Sequence, residues 1–193
     1  MSKKLILLDA YALIYRAHFA FIKNPRINSK GLNTSAIFGF CNSLLEVTNK
    51  FDPSHIGVVF DPPGGSDREG VFADYKANRQ EMPEDIRKAI PHIFDLLKAM
   101  NIKVEMEEGF EADDVIGTLA KQAEKKGFET YMMTPDKDFG QLVSDHIFIY
   151  KPGRSGNPSE ILGPKEVCEK FEVKDPLQVI DILGLWGDAV DNI

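Results

Sequence analysis

Short apolar runs alternate along this chain with longer stretches whose apolar residues recur at helical spacing, and several of the runs stop at an aspartate. Lys3 to Leu8 is a strand pattern ending at Asp9, and Ala10 to Phe21 continues with helix-compatible residues. Asn24 to Asn33 is a loop, after which Thr34 can cap a helix running to about Lys50. His55 to Phe60 is a second buried strand, again ending in an aspartate, Asp61. Beyond a Pro/Gly break and a polar stretch, Pro83-Glu84-Asp85 opens a helix with apolar positions 86, 90, 93, 94 and 97. Ile102 to Met106 reads as a strand, and Glu111 to Lys126 as an amphipathic helix ended by Gly127. Thr130 to Thr134 and Ile147 to Tyr150 are further strands, with helices expected near 164–171 and 176–185. No internal repeat is present.

Strands and helices alternating at this spacing predict an α/β fold: a parallel sheet covered by helices on both faces. Ligands in such sheets bind beyond the carboxyl ends of the strands, where Asp9, Asp61 and Asp136 fall. A single aspartate there is ordinarily a helix cap or a turn residue. Three strands ending this way weaken that explanation. Glu111, Asp113 and Asp114 complement a helix dipole, yet three acids in four positions repel one another unless a cation sits among them. Asp136 and Asp138 repeat the pattern in a loop, and Asp188 and Asp191 follow the last helix.

This donor set is all carboxylate, with no paired His or Cys, and so selects Mg²⁺ or Mn²⁺ over zinc. Two such ions about 4 Å apart can activate a water and stabilise the leaving oxygen of a phosphodiester. Phosphodiester hydrolysis and other Mg²⁺-dependent phosphoryl chemistry both remain open on these residues alone.

Residues 66–88 hold Arg68, Lys76, Arg79, Arg87 and Lys88 interleaved with Phe72 and Tyr75, a composition that can grip single-stranded nucleic acid by charge and stacking. The other reading is a solvated polar loop with two aromatics tucked onto the core. A net charge of −7 argues at first against nucleic acid. Nine of the 30 acids belong to the candidate cluster, however, and without them the 23 Lys plus Arg are in excess. With 43% apolar and 27% charged residues, the chain has the composition of a soluble globular domain rather than a disordered segment. The opening apolar run is too short for a signal peptide, and no segment could span a membrane. Cys41 and Cys168 stand far apart without metal-ligand spacing, which fits a reducing cytoplasm.

Taken in order, Leu7-Leu8-Asp9 with Tyr15-Arg16, Gly31 to Phe40, Val59-Phe60-Asp61, Tyr75 to Arg79, Glu111 to Val115, Thr134 to Asp138 and Gly187 to Asn192 resemble the 5′ nucleases. That family comprises the amino-terminal domain of DNA polymerase I, the phage 5′ exonucleases and the flap endonucleases. The resemblance spans residues 1–193 and implies a PIN-like twisted parallel sheet with a flexible basic arch at about 64–88. It implies a 5′-3′ exonuclease or flap endonuclease with two metal ions, acting in primer removal and repair. Asp9, Asp61, Glu111 and Asp113 would lie nearer one ion, and Asp114, Asp136, Asp138, Asp188 and Asp191 nearer or beyond the other. Lys76 and Arg79 would contact the scissile phosphate, and Arg16, Thr34, Arg68, Phe72 and Tyr75 would join them in gripping nucleic acid. The expected partner is DNA with a 5′ end or flap, or an RNA primer on DNA, bound by a monomer.

The chain departs from the family at Asp67 and Gly70, where an aromatic and a glutamate are usual. The family also continues past this point with a helix-three-turn-helix that grips duplex backbone, so a fragment is expected. An RNA-cleaving PIN domain and a non-catalytic DNA-structure-binding module are the alternatives. A haloacid-dehalogenase phosphatase is disfavoured because Tyr11, not a second Asp, follows Asp9 by two, and a toprim reading of Asp136 and Asp138 explains neither Asp9 nor Asp61.

If Lys76 stabilises charge that develops in the transition state, Lys76→Ala lowers the single-turnover rate in Mg²⁺ more than it weakens flap binding in Ca²⁺. Equal factors in the two measurements would make Lys76 an anchor instead.

Overall fold

The computed structural model describes residues 3–63, 81–153 and 157–187. Six strands form one sheet in the order β3-β2-β1-β4-β5-β6. β1 (Lys3–Asp9), β2 (His55–Val59), β3 (Lys103–Glu105), β4 (Phe128–Met133) and β5 (Ile147–Lys151) run parallel. β6 (Glu160–Leu162) pairs antiparallel to β5 along one edge. The sequence pattern assigns no element between Tyr150 and the helix near 164, and three residues of that stretch add this strand. A three-residue strand is too short to show periodicity, so only its partner reveals it.

The apolar runs are buried on both faces, as parallel strands must be when helices cover each side. Side chains alternate between two cores. Ile6, Leu8, Val58, Phe60, Met133 and Tyr150 face one, and Leu7, Val59, Met132, Ile147 and Ile149 face the other. The first core is closed by α1 (Ala10–Ala20), α2 (Ser35–Phe51) and α3 (Glu84–Ala99), which contribute Leu13 and Ile14, Phe40 and Leu44, and Ile86 and Ile93. The second is closed by α4 (Ala112–Lys125) and by α5 (Pro164–Phe171) and α6 (Val179–Trp186), through Ile116, Ala120, Val167 and Val179. Gly127, at φ +77°, takes the left-handed conformation that ends α4.

Chain order decides where a ligand crevice opens. From β1 the chain builds outward to β2 and β3, then returns to lay β4 on the other side of β1. The strand order therefore reverses between β1 and β4, the topological switch point at which open α/β sheets bind their ligands. A short 3-10 turn, Asp138–Leu142, occupies the exit from β4, which the sequence pattern leaves as loop. Both cysteines are free, and among the described residues no helix is long and apolar enough to cross a membrane.

α1 and α2 approach closely at Gly39. A Cβ there would lie 2.5 Å from the Ala17 Cβ and 3.2 Å from its Cα. Gly39→Ala must push the two helices apart, and urea or thermal denaturation should register a loss of about 1–3 kcal/mol. Unchanged stability would mean that the helices part there without strain.

Candidate functional site at the carboxyl edge of the sheet

Asp9 ends β1 and caps α1, its Oδ1 accepting the Ala12 N–H at 3.2 Å. Its other oxygen accepts the Thr134 hydroxyl at 3.0 Å, across the switch point from the end of β4. Capping and site membership are thus the same arrangement, because a strand-to-helix turn aims the side chain over the strand end. Thr134, fully buried, also takes the Asp136 N–H at 3.2 Å. Sequence reasoning gave Thr134 no role, although its place directly before Pro135-Asp136 marks it as a residue that could orient the acids on either side.

Asp61 follows β2, and its Oδ1 accepts the Ala112 N–H at 2.7 Å, joining the β2 exit to the start of α4. Glu111 is buried at that helix start, and its N–H donates to Asp114 at 3.2 Å. Asp113 accepts the Asp114 N–H at 2.7 Å, and Asp136 accepts the Asp138 N–H at 2.9 Å. Seven of the nine predicted carboxylates therefore line one edge of the sheet: Asp9, Asp61, Glu111, Asp113, Asp114, Asp136 and Asp138. Asp188 and Asp191 lie outside the described residues, as do Arg68, Phe72, Tyr75, Lys76 and Arg79.

The seven do not form a ready-made cage. Among the described residues no three acids, histidines or cysteines stand close enough together to hold an ion. The carboxylates turn instead to backbone N–H groups. The electrostatics nevertheless fit a cation. Burial pushes the Asp9 carboxyl up to about 7 from its ordinary 3.8, against the lowering effect of Ala12 and Thr134, and the charges of Asp61 and Asp136 add to the rise. Hard oxygen donors with an unfavourable enclosed charge are what Mg²⁺ or Mn²⁺ would relieve.

The basic residues separate into different places. Arg16, on α1, donates to the carbonyls of Pro152 at 3.0 Å and of Gly153, which fixes its guanidinium just past β5. The Thr34 hydroxyl donates to the Arg26 carbonyl at 2.8 Å and pins the loop before α2; it does not cap that helix. Arg87 and Lys88 belong to α3, not to an irregular segment, and the Lys88 ammonium pairs with Glu84 at 2.8 Å.

A doubly wound sheet whose acids gather at the β1/β4 switch point defines an α/β protein with an acidic strand-end site. Residues 4–172 match the family described as 5′-3′ exonuclease, N-terminal resolvase-like domain, and the chain belongs to that family. It is 41% identical over 192 residues to DNA polymerase I of Bacillus subtilis (strain 168), covering 99% of this chain and 21% of that one. It is 39% identical over 191 residues to a 5′-3′ exonuclease of Aquifex aeolicus (strain VF5), covering 99% of this chain and 64% of the relative. This chain thus spans about a fifth of the polymerase and about two thirds of the exonuclease. The phage T5 flap endonuclease, in a pseudo-enzyme-product complex with DNA and metal ions, superposes with a TM-score of 0.77 at 18% identity, covering 99% of this chain and 69% of that one. The PIN-like α/β fold expected from the sequence is the fold found.

The raised Asp9 carboxyl carries a stability consequence. The folded chain holds this proton more tightly than the unfolded chain, so between about pH 4 and pH 7 it binds the extra proton and its stability falls as pH rises. With a chelator present, the melting temperature of Asp9→Asn minus that of the wild type should grow across this window. A difference that stays constant with pH would mean that the Asp9 carboxyl titrates normally.

Proposed function

We infer that this chain is the catalytic domain of a structure-directed 5′-3′ exonuclease or flap endonuclease, hydrolysing DNA phosphodiesters with two divalent ions, Mg²⁺ or Mn²⁺. Its membership of the 5′-3′ exonuclease family, together with seven carboxylates along the carboxyl edge at the β1/β4 switch point, carries this reading. The natural setting is the 5′ nuclease part of a DNA polymerase I, removing primers and repairing DNA. DNA with a 5′ end or flap is the substrate class, and an RNA primer on DNA belongs to it. The phage T5 relative bears DNA and metal ions, which supports the same partners here.

Asp9, Asp61, Glu111 and Asp113 would hold one ion, and Asp114, Asp136 and Asp138, joined by Asp188 and Asp191, would hold or lie beyond the other. A bound divalent ion supplies activation of water and stabilisation of the leaving oxygen. The chain's own groups make the place for it. The Thr134 hydroxyl and Ala12 N–H fix the Asp9 carboxylate, and the Ala112 N–H fixes Asp61, so both are oriented before any ion arrives. This is the outer support that metal ligands need, and losing such support costs about 10–100-fold in affinity or activity. Arg16, anchored past β5, and Lys76 and Arg79 of the arch would draw the phosphodiester to the acids.

Asp113→Asn tests the assignment cleanly. The amide oxygen still accepts the Asp114 N–H, so the start of α4 is preserved while one negative charge is removed. Metal-dependent cleavage of a 5′ flap should fall by at least about 100-fold with the melting temperature unchanged or raised. A folded variant that cleaves at the wild-type rate removes Asp113 from the site.

A further inference from the structure

The connection from β3 to α4 presents an exposed aromatic ring within an acidic stretch of chain. β3 ends level with the strands of the site, since Glu105 pairs with Val59 of β2 and Val59 pairs with Asp9 of β1. The chain then leaves the carboxyl edge through Met106, Glu107, Glu108 and Gly109 to reach Phe110, which immediately precedes Glu111 at the N-cap of α4. Phe110 is 52% exposed and belongs to neither apolar core. Among the described residues it packs against no other ring.

The backbone on either side of this ring is fixed. Gly109 takes the left-handed conformation at φ +84°, and the Phe110 N–H donates to the Glu107 carbonyl at 3.3 Å. The Glu111 N–H donates to Asp114 at 3.2 Å, and the Ala112 N–H holds Asp61 at 2.7 Å. The turn that presents Phe110 and the turn that orients the acids are therefore one continuous piece of backbone.

Single exposed apolar side chains are ordinary. Position gives this one a use. Glu107, Glu108 and Glu111 repel phosphate from this part of the edge, so the part of a nucleic acid that can approach the ring is an uncharged base. Every base has a π-face, and stacking on an aromatic ring tolerates any sequence. A ring carried on a fixed turn also loses little conformational freedom when a base covers it.

We propose that Phe110 is a stacking platform for one nucleobase of the substrate strand, the base beside the phosphodiester held at the carboxylates. This rests on the reading of the domain as a DNA nuclease. Phe110 positions the strand and touches no reacting atom.

The test places Phe110→Ala and Phe110→Trp in the full-length protein and follows binding of a 5′-flap oligonucleotide by anisotropy in Ca²⁺ across a range of salt concentrations. Phe110 is exposed, so both variants keep the fold. Phe110→Ala should weaken binding about 5–150-fold, the span of one lost base–aromatic stack, with the log-log salt slope unchanged because no phosphate contact is lost. Phe110→Trp should restore the affinity. An abasic nucleotide walked along the strand should weaken wild-type binding at one position beside the cleaved bond, and that penalty should vanish in Phe110→Ala. A loss that acts only through a displaced Glu111 would leave the abasic penalty in place, and that result overturns the platform. Affinity of Phe110→Ala equal to that of the wild type, or a salt slope lowered by about 0.9, overturns it as well. In each of these cases a wild type that cleaves leaves the nuclease reading standing. A wild type that neither binds nor cleaves DNA overturns that reading, and the platform with it.

Discussion

Parallel pairing of β1 with both β2 and β4 is the constraint on which the rest of this molecule depends. Register places Asp9 beside Val59 on one side and Leu8 beside Met133 on the other, so the three strands end level. Whatever follows each strand is delivered to the same edge: Asp61 after β2, Asp9 at the end of β1, Thr134 and Asp136 after β4. Helices on both faces then bury the apolar centres of the strands and leave that edge as the place where polar side chains gather. The position of the site is a consequence of chain order, since the connections depart in opposite directions between β1 and β4.

Charge placed at such an edge costs stability, and the chain's own donors offset part of that cost. Backbone N–H groups at the starts of α1 and α4 and at the exit of β4 each take one carboxylate oxygen. These donors are unsatisfied at any helix start, so the acids are capping residues and site residues at once. Asp9 is enclosed beside the charges of Asp61 and Asp136, with its carboxyl pushed up to about 7. Fixed orientation combined with unrelieved charge is the condition in which an arriving divalent ion gains most.

Most of the fold was legible in the sequence because burial on both faces writes itself as uninterrupted apolar runs, and Lys3 to Leu8, His55 to Phe60 and Thr130 to Thr134 all carry that mark. β6 and the 3-10 turn at Asp138 did not, being too short for any period to register. The acids of the site were legible through repetition, one aspartate after another at strand ends. Thr134 was not, because a hydroxyl that orients a neighbour has no signature apart from the geometry it serves. Thr34 shows the opposite failure, a good capping residue whose hydroxyl is spent on Arg26.

The hydrogen bond from Thr134 to Asp9 closes a loop of 125 positions, and β1 is the central strand. A ribosome adding about 5–20 residues per second completes β1 roughly 6–25 s before it completes β4. Through that interval one ladder of β1 has no partner, and an exposed apolar strand edge is a template for pairing with another chain. The strand order that gathers the acids therefore also makes biosynthesis of this domain a race between intramolecular closure and aggregation.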